Sequence, residues 1–187
     1  MKWISIDIGI KHFAIVIEED SNIVYMETIN LGEYLLDIAC EEKFQPVYAM
    51  NHILESINYL WYNCDYILIE QQGVFGNKHK EYNFQTMKLQ YQCIQYFLYL
   101  KMKHKYTYQL ECVPSRLKTS IFKMDMDNTK YNRKKWSVQC CIEILQERNQ
   151  HEWIEKIKKM KKKDDVCDAF LQLQAFKLNQ LKEVKLR

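Results

Sequence analysis

The chain has 187 residues, of which 48% are apolar and 13% aromatic, so it can bury one core without disulfides or a structural metal. The formal net charge is +3, and no apolar run reaches the roughly 18 residues that a membrane span needs. The seven cysteines are odd in number and lack the Cys-x-x-Cys spacing of metal sites, which indicates a reducing compartment. We therefore expect one globular domain over residues 1–187 that is soluble and cytoplasmic.

The apolar pattern predicts three strands in a meander, followed by helices that alternate with two more strands. The strands are expected at residues 2–8, 12–17, 23–31, 66–70 and 107–113, and the helices at 46–61, 83–103, 131–146 and 164–181. The basic stretch between the last two helices is a candidate for partial helix. This order indicates an α/β protein with a mixed sheet.

Charge is distributed unevenly along the chain. Residues 18–70 contain eleven acidic residues and one basic residue, whereas residues 101–163 contain seventeen basic and seven acidic residues. Seventeen minus seven leaves +10 in the later stretch, which favours a polyanion docked on one side of the molecule. A solvated lysine-rich surface is the alternative explanation.

Four carboxylates stand where a charge is costly or unusual. Asp7 lies in a strand of core residues, Glu70 ends an apolar strand, and Asp165 and Asp168 share one side of the last helix near its start. Each could instead be a solvent-facing acid, and helix capping accounts for Asp164 but explains Asp168 poorly. We interpret the four as ligands of hard Mg²⁺ or Mn²⁺ ions, because gathered carboxylates repel until cations neutralise them.

Four short motifs around these positions resemble a known family. They are IDIGIKHFA, ILIEQQ, YNRKKWSV and KKDDVCDAFLQ. In this order they are similar to Holliday junction resolvases related to RuvC, particularly those of poxviruses and other large cytoplasmic DNA viruses. The resemblance implies an RNase H-like fold, with a mixed five-stranded sheet flanked by helices. It also implies a viral, Mg²⁺-dependent endodeoxyribonuclease of DNA recombination and repair that acts as a homodimer on branched DNA in the host cytoplasm, with no membrane partner and no small-molecule substrate.

The resemblance also assigns roles to residues. By motif, the family's acidic tetrad, which holds two Mg²⁺ ions that Mn²⁺ can replace, corresponds to Asp7, Glu70, Asp165 and Asp168. Lys135 matches the family's active-site lysine, and Lys118 is a rival for that role. The sequence departs from the viral pattern at His12, where Asn is usual, and at Gln71, where Arg is usual. His12 is either a substrate contact or an exposed turn residue.

Further residues are candidates for contact with DNA, through phosphates or at the junction centre. They are Phe75, Lys78, Lys80, Arg116, Lys118, Arg133 and Lys134. Phe75 could wedge between unstacked bases or could anchor its own loop. On the long helix, Leu89, Cys93, Tyr96, Phe97 and Leu100 are expected to form core or a dimer interface.

Two other functions remain compatible with the sequence. One is an RNase H-like nuclease that acts on RNA–DNA hybrid or flaps. The other is a catalytically inactive DNA-binding module, although the presence of all four acids argues against it.

Overall fold

Five strands form one mixed sheet in the computed structural model, which describes residues 1–37, 45–73, 80–123 and 129–185. The strands are β1 (Lys2–Asp7), β2 (Phe13–Glu19), β3 (Asn22–Ile29), β4 (Tyr66–Gln71) and β5 (Gln109–Pro114). Their order across the sheet is β3-β2-β1-β4-β5. The first three strands pair antiparallel, whereas β1 with β4 and β4 with β5 pair parallel. The predicted mixed five-stranded sheet is confirmed.

The described helices follow the predicted order with two additions. They are α1 (Leu31–Asp37), α2 (Gln45–Ser56), α3 (Asn58–Trp61), α4 (Lys80–His104), α5 (Arg116–Ile121), α6 (Lys130–Glu147), α7 (His151–Lys159) and α8 (Lys163–Lys185). The helix predicted at 46–61 is interrupted at Ile57, which leaves helical geometry with a ψ of 15°. Helices α1 and α5, of seven and six residues, are too short to show a helical period in the sequence. Within the described residues, no helix combines the length and the apolar character needed to cross a membrane.

Helices cover both faces of the sheet, and alternate residues of each strand enter different cores. Ile4 and Ile6 of β1 pack into a core with α2 and α4, whereas Trp3 packs into a second core with α6, α7 and α8. In α8, every residue from Val166 to Phe176 is buried except Asp168. The result is a layered α/β arrangement, with α8 as the central helix of its face.

The same alternation directs two of the predicted acids toward α8. Asp7 lies on the same face of the sheet as Trp3 of β1, and Glu70 lies on the same face as Leu68 of β4. Both Trp3 and Leu68 belong to the core that contains α8. In the parallel register Ile6 is opposite Ile69, so the next residues of the two strands are neighbours. The expectation that parallel strands bring Asp7 beside Glu70 is confirmed.

Gly9 allows the tight turn after β1. A Cβ atom at this position would lie 2.6 Å from the backbone oxygen of His12, so a larger residue would displace the turn. The space beside Gly9 is thus occupied by the backbone of the same turn. This close approach places His12 near the start of α8.

Candidate active site

Asp7 and Glu70 form a carboxylate pair at the ends of β1 and β4. The two carboxyl groups lie next to each other and interact. Removal from water and then the charge of Glu70 raise the pKa of Asp7 well above its usual value. Two acids that repel in this way form a site that favours either a shared proton or a cation.

Lys118 of α5 neutralises part of this carboxylate charge. Its Nζ lies 3.0 Å from Oδ1 of Asp168 and 3.7 Å from Oε1 of Glu70, and only 13% of the Lys118 side chain is exposed. Burial alone would lower the pKa of the ammonium group, but Glu70, Asp168 and Asp7 outweigh it, so the pKa of Lys118 is raised. Lys118 is therefore a fixed cation between two of the predicted metal ligands.

Asp168 has a second partner on α6. The buried hydroxyl of Ser137 donates a hydrogen bond of 2.7 Å to Oδ1 of Asp168. Both helices are packed in the same core, so this bond fixes the orientation of the carboxylate. Sequence reasoning missed Ser137, although the signal was present: it is a polar residue on the stripe that continues with buried Cys141 and Leu145.

Asp165 is the least satisfied acid of the site. Its Oδ2 atom is buried and has no hydrogen-bond partner among the described residues, and Nδ1 of His12 lies 3.8 Å away. Burial raises the pKa of Asp165, while His12 and Lys134 lower it in part. The preceding residue, Asp164, pairs with Lys134. An unpartnered carboxylate oxygen in this position needs a further cation or donor.

The chemistry of the donors fits a hard divalent metal ion. All four predicted ligands offer carboxylate oxygens, which Mg²⁺ and Mn²⁺ prefer. One of those oxygens, Oδ2 of Asp165, has no hydrogen-bond partner within the described residues. Among the described residues, no three acidic, histidine or cysteine side chains stand close enough together to enclose an ion. Instead, the Lys118 ammonium group holds Glu70 and Asp168. Metal binding at this site therefore requires small movements of these side chains.

A cleft of 720 Å³ opens beside the carboxylates between α5 and α6, and we call it the α5–α6 cleft. Besides Glu70 and Asp168, its walls include Arg116, Lys118, Thr119, Arg133, Lys134 and Trp136. Four of the predicted DNA-binding residues, Arg116, Lys118, Arg133 and Lys134, thus meet at one surface. A basic cleft that ends at a carboxylate cluster can hold a phosphodiester next to a reacting centre.

The remaining predicted residues lie elsewhere. Lys135 is exposed on α6 and does not contribute to the α5–α6 cleft. Lys80 is the first residue of α4. Phe75 and Lys78 lie outside the described residues. The structure therefore brings Asp7, Glu70, Asp168 and Lys118 together and places Asp165 near Asp168 on α8, whereas Lys135 lies outside this cluster.

Comparisons with known proteins place this fold. No family model matches the chain. A protein of Invertebrate iridescent virus 6, named Uncharacterized protein 170L, is 30% identical over 144 residues, which are 66% of this chain and 54% of the relative. The chain thus spans about half the length of that relative.

Solved structures resemble the chain over most of its length. Thermus thermophilus RuvC matches with a TM-score of 0.58 and 11% identity, covering 96% of this chain and 97% of RuvC. The yeast mitochondrial Holliday junction resolvase matches with a TM-score of 0.57 and 22% identity, covering 92% and 76%. The Fowlpox virus resolvase, solved with substrate Holliday junction DNA, matches with a TM-score of 0.52 and 18% identity, covering 95% and 99%. The chain has the RNase H-like fold of the RuvC-type resolvases.

This fold confirms the resemblance that the four sequence motifs predicted. In the RNase H-like arrangement found here, Asp7 and Glu70 end two parallel central strands, and Asp165 and Asp168 begin the helix that crosses them. The viral source of the 30% identical relative agrees with the predicted kinship to viral resolvases.

Proposed function

We propose that this protein is a structure-selective endonuclease that resolves four-way and other branched DNA junctions by paired hydrolysis of phosphodiester bonds. The observation that carries the proposal is the cluster of Asp7, Glu70, Asp168 and Lys118 at one end of an RNase H-like sheet, with Asp165 about one turn earlier on α8 and a basic cleft beside the cluster. The likeness to solved junction resolvases supports the substrate.

The acidic tetrad holds two Mg²⁺ ions in this proposal, and Mn²⁺ can replace them. The ligands are Asp7, Glu70, Asp165 and Asp168. Bound ions of this kind supply an activated water and stabilise charge on the phosphate. The chain itself positions the donors: Ser137 orients Asp168, and the pairing of β1 with β4 keeps Asp7 beside Glu70.

Lys118 is the better supported of the two candidate active-site lysines. It reaches two predicted metal ligands from a position that is largely shielded from solvent, where a cation can stabilise charge that grows on a phosphate in the transition state. Lys135 matches the family motif, but its side chain is exposed on α6. The role of Lys135 stays a prediction, and a comparison of rates decides between the two.

Arg116, Arg133 and Lys134 bind phosphates of the substrate in this proposal. They line the α5–α6 cleft, where such contacts position the DNA backbone without reading its sequence. The proposed contacts of Phe75, Lys78 and Lys80 with the junction centre rest on the sequence alone.

A homodimer would present two active sites to the two strands of a junction. The predicted core residues Leu89, Cys93, Phe97 and Leu100 of α4 are buried within this chain, so they are core and do not form an interface. Another stripe of α4 is exposed and apolar, and it comprises Phe84, Tyr91, Leu98, Tyr99 and Met102. Phe84, Tyr91, Leu98 and Met102 recur at intervals of seven, seven and four residues along a 25-residue helix, with Tyr99 next to Leu98, and this pattern suits a second copy of the same helix.

The dimer can be tested by light scattering. A mass of about 46 kDa, twice the 22.8 kDa chain, is expected, and Leu98→Glu combined with Met102→Glu should give the monomer mass. Glutamate at two exposed polar positions of the helix away from this stripe, Gln85→Glu and Gln92→Glu, is the matched control. A monomeric wild-type protein would contradict the dimer.

Cleavage of defined substrates tests the function. Purified protein is incubated with labelled four-way junction, RNA–DNA hybrid and linear duplex, with and without Mg²⁺, and Asp7→Asn is the control. We expect symmetric, ligatable nicks in the junction only with Mg²⁺, and far less cutting of duplex, because a stiff duplex is costly to bend into two sites. Equal cutting of hybrid and junction would favour a general RNase H-like nuclease, and binding without cutting would favour an inactive DNA-binding module.

A further inference from the structure

A second basic cleft lies on the other side of the α8 start and has no role in the site described so far. It encloses about 600 Å³ between the turn after β1, the end of β3 and the connection from α7 to α8, and we call it the α7–α8 cleft. Its basic wall is formed by Lys11, His12, Lys156, Lys159, Lys161 and Lys162. Five lysines against the two acids of the opposite wall, Glu27 and Glu33, give this cleft a positive charge.

The lysines of this cleft are not paired with acids of the described residues, and Nζ of Lys156 lies over the ring of Trp153, 4.8 Å from its centroid. None of the five forms an ion pair with a residue in the described ranges, whereas the neighbouring Lys158 pairs with Glu155 at 2.8 Å. Burial of Ile154 and Ile157, together with the bond from Trp153 Nε1 to the oxygen of Ile23 at 2.9 Å, fixes α7 against the sheet. Lys156 and Lys159 thus lie on a helix that is packed against the sheet, and none of the five lysines has its charge neutralised by an ion pair within the described residues.

The two basic clefts meet at the predicted metal ligands. Lys134 of the α5–α6 cleft pairs with Asp164, and His12 of the α7–α8 cleft stands 3.8 Å from Asp165. The first turn of α8, which carries both aspartates, therefore separates two positively charged surfaces. A DNA strand whose backbone passes over Asp165 would therefore contact the α5–α6 cleft on one side of this residue and the α7–α8 cleft on the other.

We propose that the α7–α8 cleft binds the backbone of the cut DNA strand on the side of the scissile phosphate opposite to the α5–α6 cleft. The ligand class is a phosphodiester chain, and the contacts are those of lysines with phosphates, which do not read bases. This inference rests on the proposed function and names the path of the substrate through the same site. His12 faces both the cleft and Asp165 and marks the point at which the strand leaves the metal centre.

Binding to a four-way junction in Ca²⁺, which should support binding but not efficient cutting, tests the cleft. The variant combines Lys159→Gln, Lys161→Gln and Lys162→Gln. The control removes the same charge from exposed lysines elsewhere, through Lys103→Gln, Lys105→Gln and Lys182→Gln. We expect the cleft variant to bind at least about 10-fold more weakly and to reduce the slope of log Kd against log salt by about 2 to 3, because each phosphate contact releases counterions. The control should stay within about 2-fold of wild type.

Neutral linkages in the DNA locate the contact. Once the cut has been mapped with wild-type protein and Mg²⁺, methylphosphonates are placed at two or three positions on either side of it. Wild-type protein should bind the junction more weakly when methylphosphonates stand on either side of the cut. The affinity of the cleft variant should fall only for methylphosphonates on one side, because its contacts with phosphates on the other side are already lost. Equal sensitivity of variant and wild type on both sides, or equal affinities of cleft and control variants, would overturn the inference.

The same experiment separates this inference from the function on which it rests. Failure of the wild-type protein to cut the junction overturns the proposed function, and the affinities and salt slopes still report on the cleft. Normal cutting by wild type, with a cleft variant that behaves like the control, overturns the cleft alone.

Discussion

The buried Glu18 of β2 and the half-buried acids around the start of α8 are satisfied very differently by neighbouring donors. Glu18 of β2 is fully buried, and it accepts hydrogen bonds from Arg148 at 2.9 Å and from Gln174 at 2.6 Å and pairs with Lys177. Every donor reaches it from α8 or from the residue that ends α6. This carboxylate joins the sheet to its helices, and its charge is fully compensated.

The acids at the start of α8 lack this compensation. Lys118 is shared between Glu70 and Asp168, Asp7 faces another carboxylate, and an oxygen of Asp165 has no hydrogen-bond partner in the part of the chain that the structure describes. Buried charges in a structural role acquire enough donors, as Glu18 shows. A deficit of hydrogen-bond donors and cationic side chains, rather than burial itself, therefore distinguishes the candidate metal site from a structural ion pair.

The largest effect is expected from removal of a tetrad carboxylate. Asp7→Asn, Glu70→Gln, Asp165→Asn and Asp168→Asn should each lower the rate of junction cleavage by more than about 1000-fold, because each removes a metal ligand. Junction affinity in Ca²⁺ should change by less than about 3-fold, since phosphate contacts dominate binding. Full cleavage activity in two of the four variants would contradict the assignment of these carboxylates as metal ligands.

Stability of the same variants sharpens the contrast with Glu18. The pKa of Asp7 is raised, so its charged form is disfavoured by the fold at neutral pH, and the neutral Asp7→Asn should unfold at the same or a higher temperature in the absence of metal. Thermal unfolding in a chelator measures this. A strongly destabilised Asp7→Asn would show that this carboxylate is structural, like Glu18.

A smaller loss of cleavage rate is expected from substitution of Lys118, and Lys135 provides the comparison. Lys118→Gln should lower the cleavage rate by about 100-fold with little change in junction affinity, because its cation acts on charge that develops in the transition state. Lys135→Gln, the matched control, should change the rate by less than about 3-fold. Single-turnover rates at saturating protein measure both. The reverse result would assign the active-site lysine to α6.

Glu18 is expected to contribute stability and not activity. Glu18→Gln should lower the free energy of unfolding by about 2 kcal/mol, less than for a fully enclosed pair because Arg148 and Lys177 are partly exposed and can return to water. Glu19→Gln is the control, since the side chain of Glu19 is 44% exposed. Denaturant unfolding gives both values, and the cleavage rate of folded Glu18→Gln should equal that of wild type. A loss of rate without a loss of stability would contradict the structural role.

The smallest effect is expected from Ser137, which acts through Asp168. Ser137→Ala should weaken Mn²⁺ binding by about 10-fold and raise the Mg²⁺ concentration needed for half-maximal cutting, since a ligand held by a neighbouring hydrogen bond loses its orientation. Ser137→Thr, which keeps the hydroxyl, should restore affinity, and Ser120→Ala on α5 is the control. Unchanged Mn²⁺ affinity in Ser137→Ala would make Ser137 a packing residue only.

The sequence predicted the strands and the acidic tetrad because both leave local signals. Asp7 and Glu70 interrupt or end apolar runs, and parallel pairing of the two strands then fixes their proximity. The choice between Lys118 and Lys135 was beyond the sequence, because the six-residue helix that aims Lys118 has no period and the reach of a lysine depends on tertiary packing. The α7–α8 cleft was equally hidden, since it joins the turn at Lys11 to a stretch about 150 residues later.

We expect the carboxylates around the start of α8 to hold divalent cations, whereas Glu18 should not. The number of bound Mn²⁺ ions can be measured from the electron paramagnetic resonance signal of the free Mn²⁺ that remains. Wild-type protein and Glu18→Gln should each bind two Mn²⁺ ions per chain, and Asp7→Asn and Asp168→Asn should bind fewer or bind more than about 10-fold more weakly. Equal Mn²⁺ binding by wild type and both aspartate variants would contradict the account.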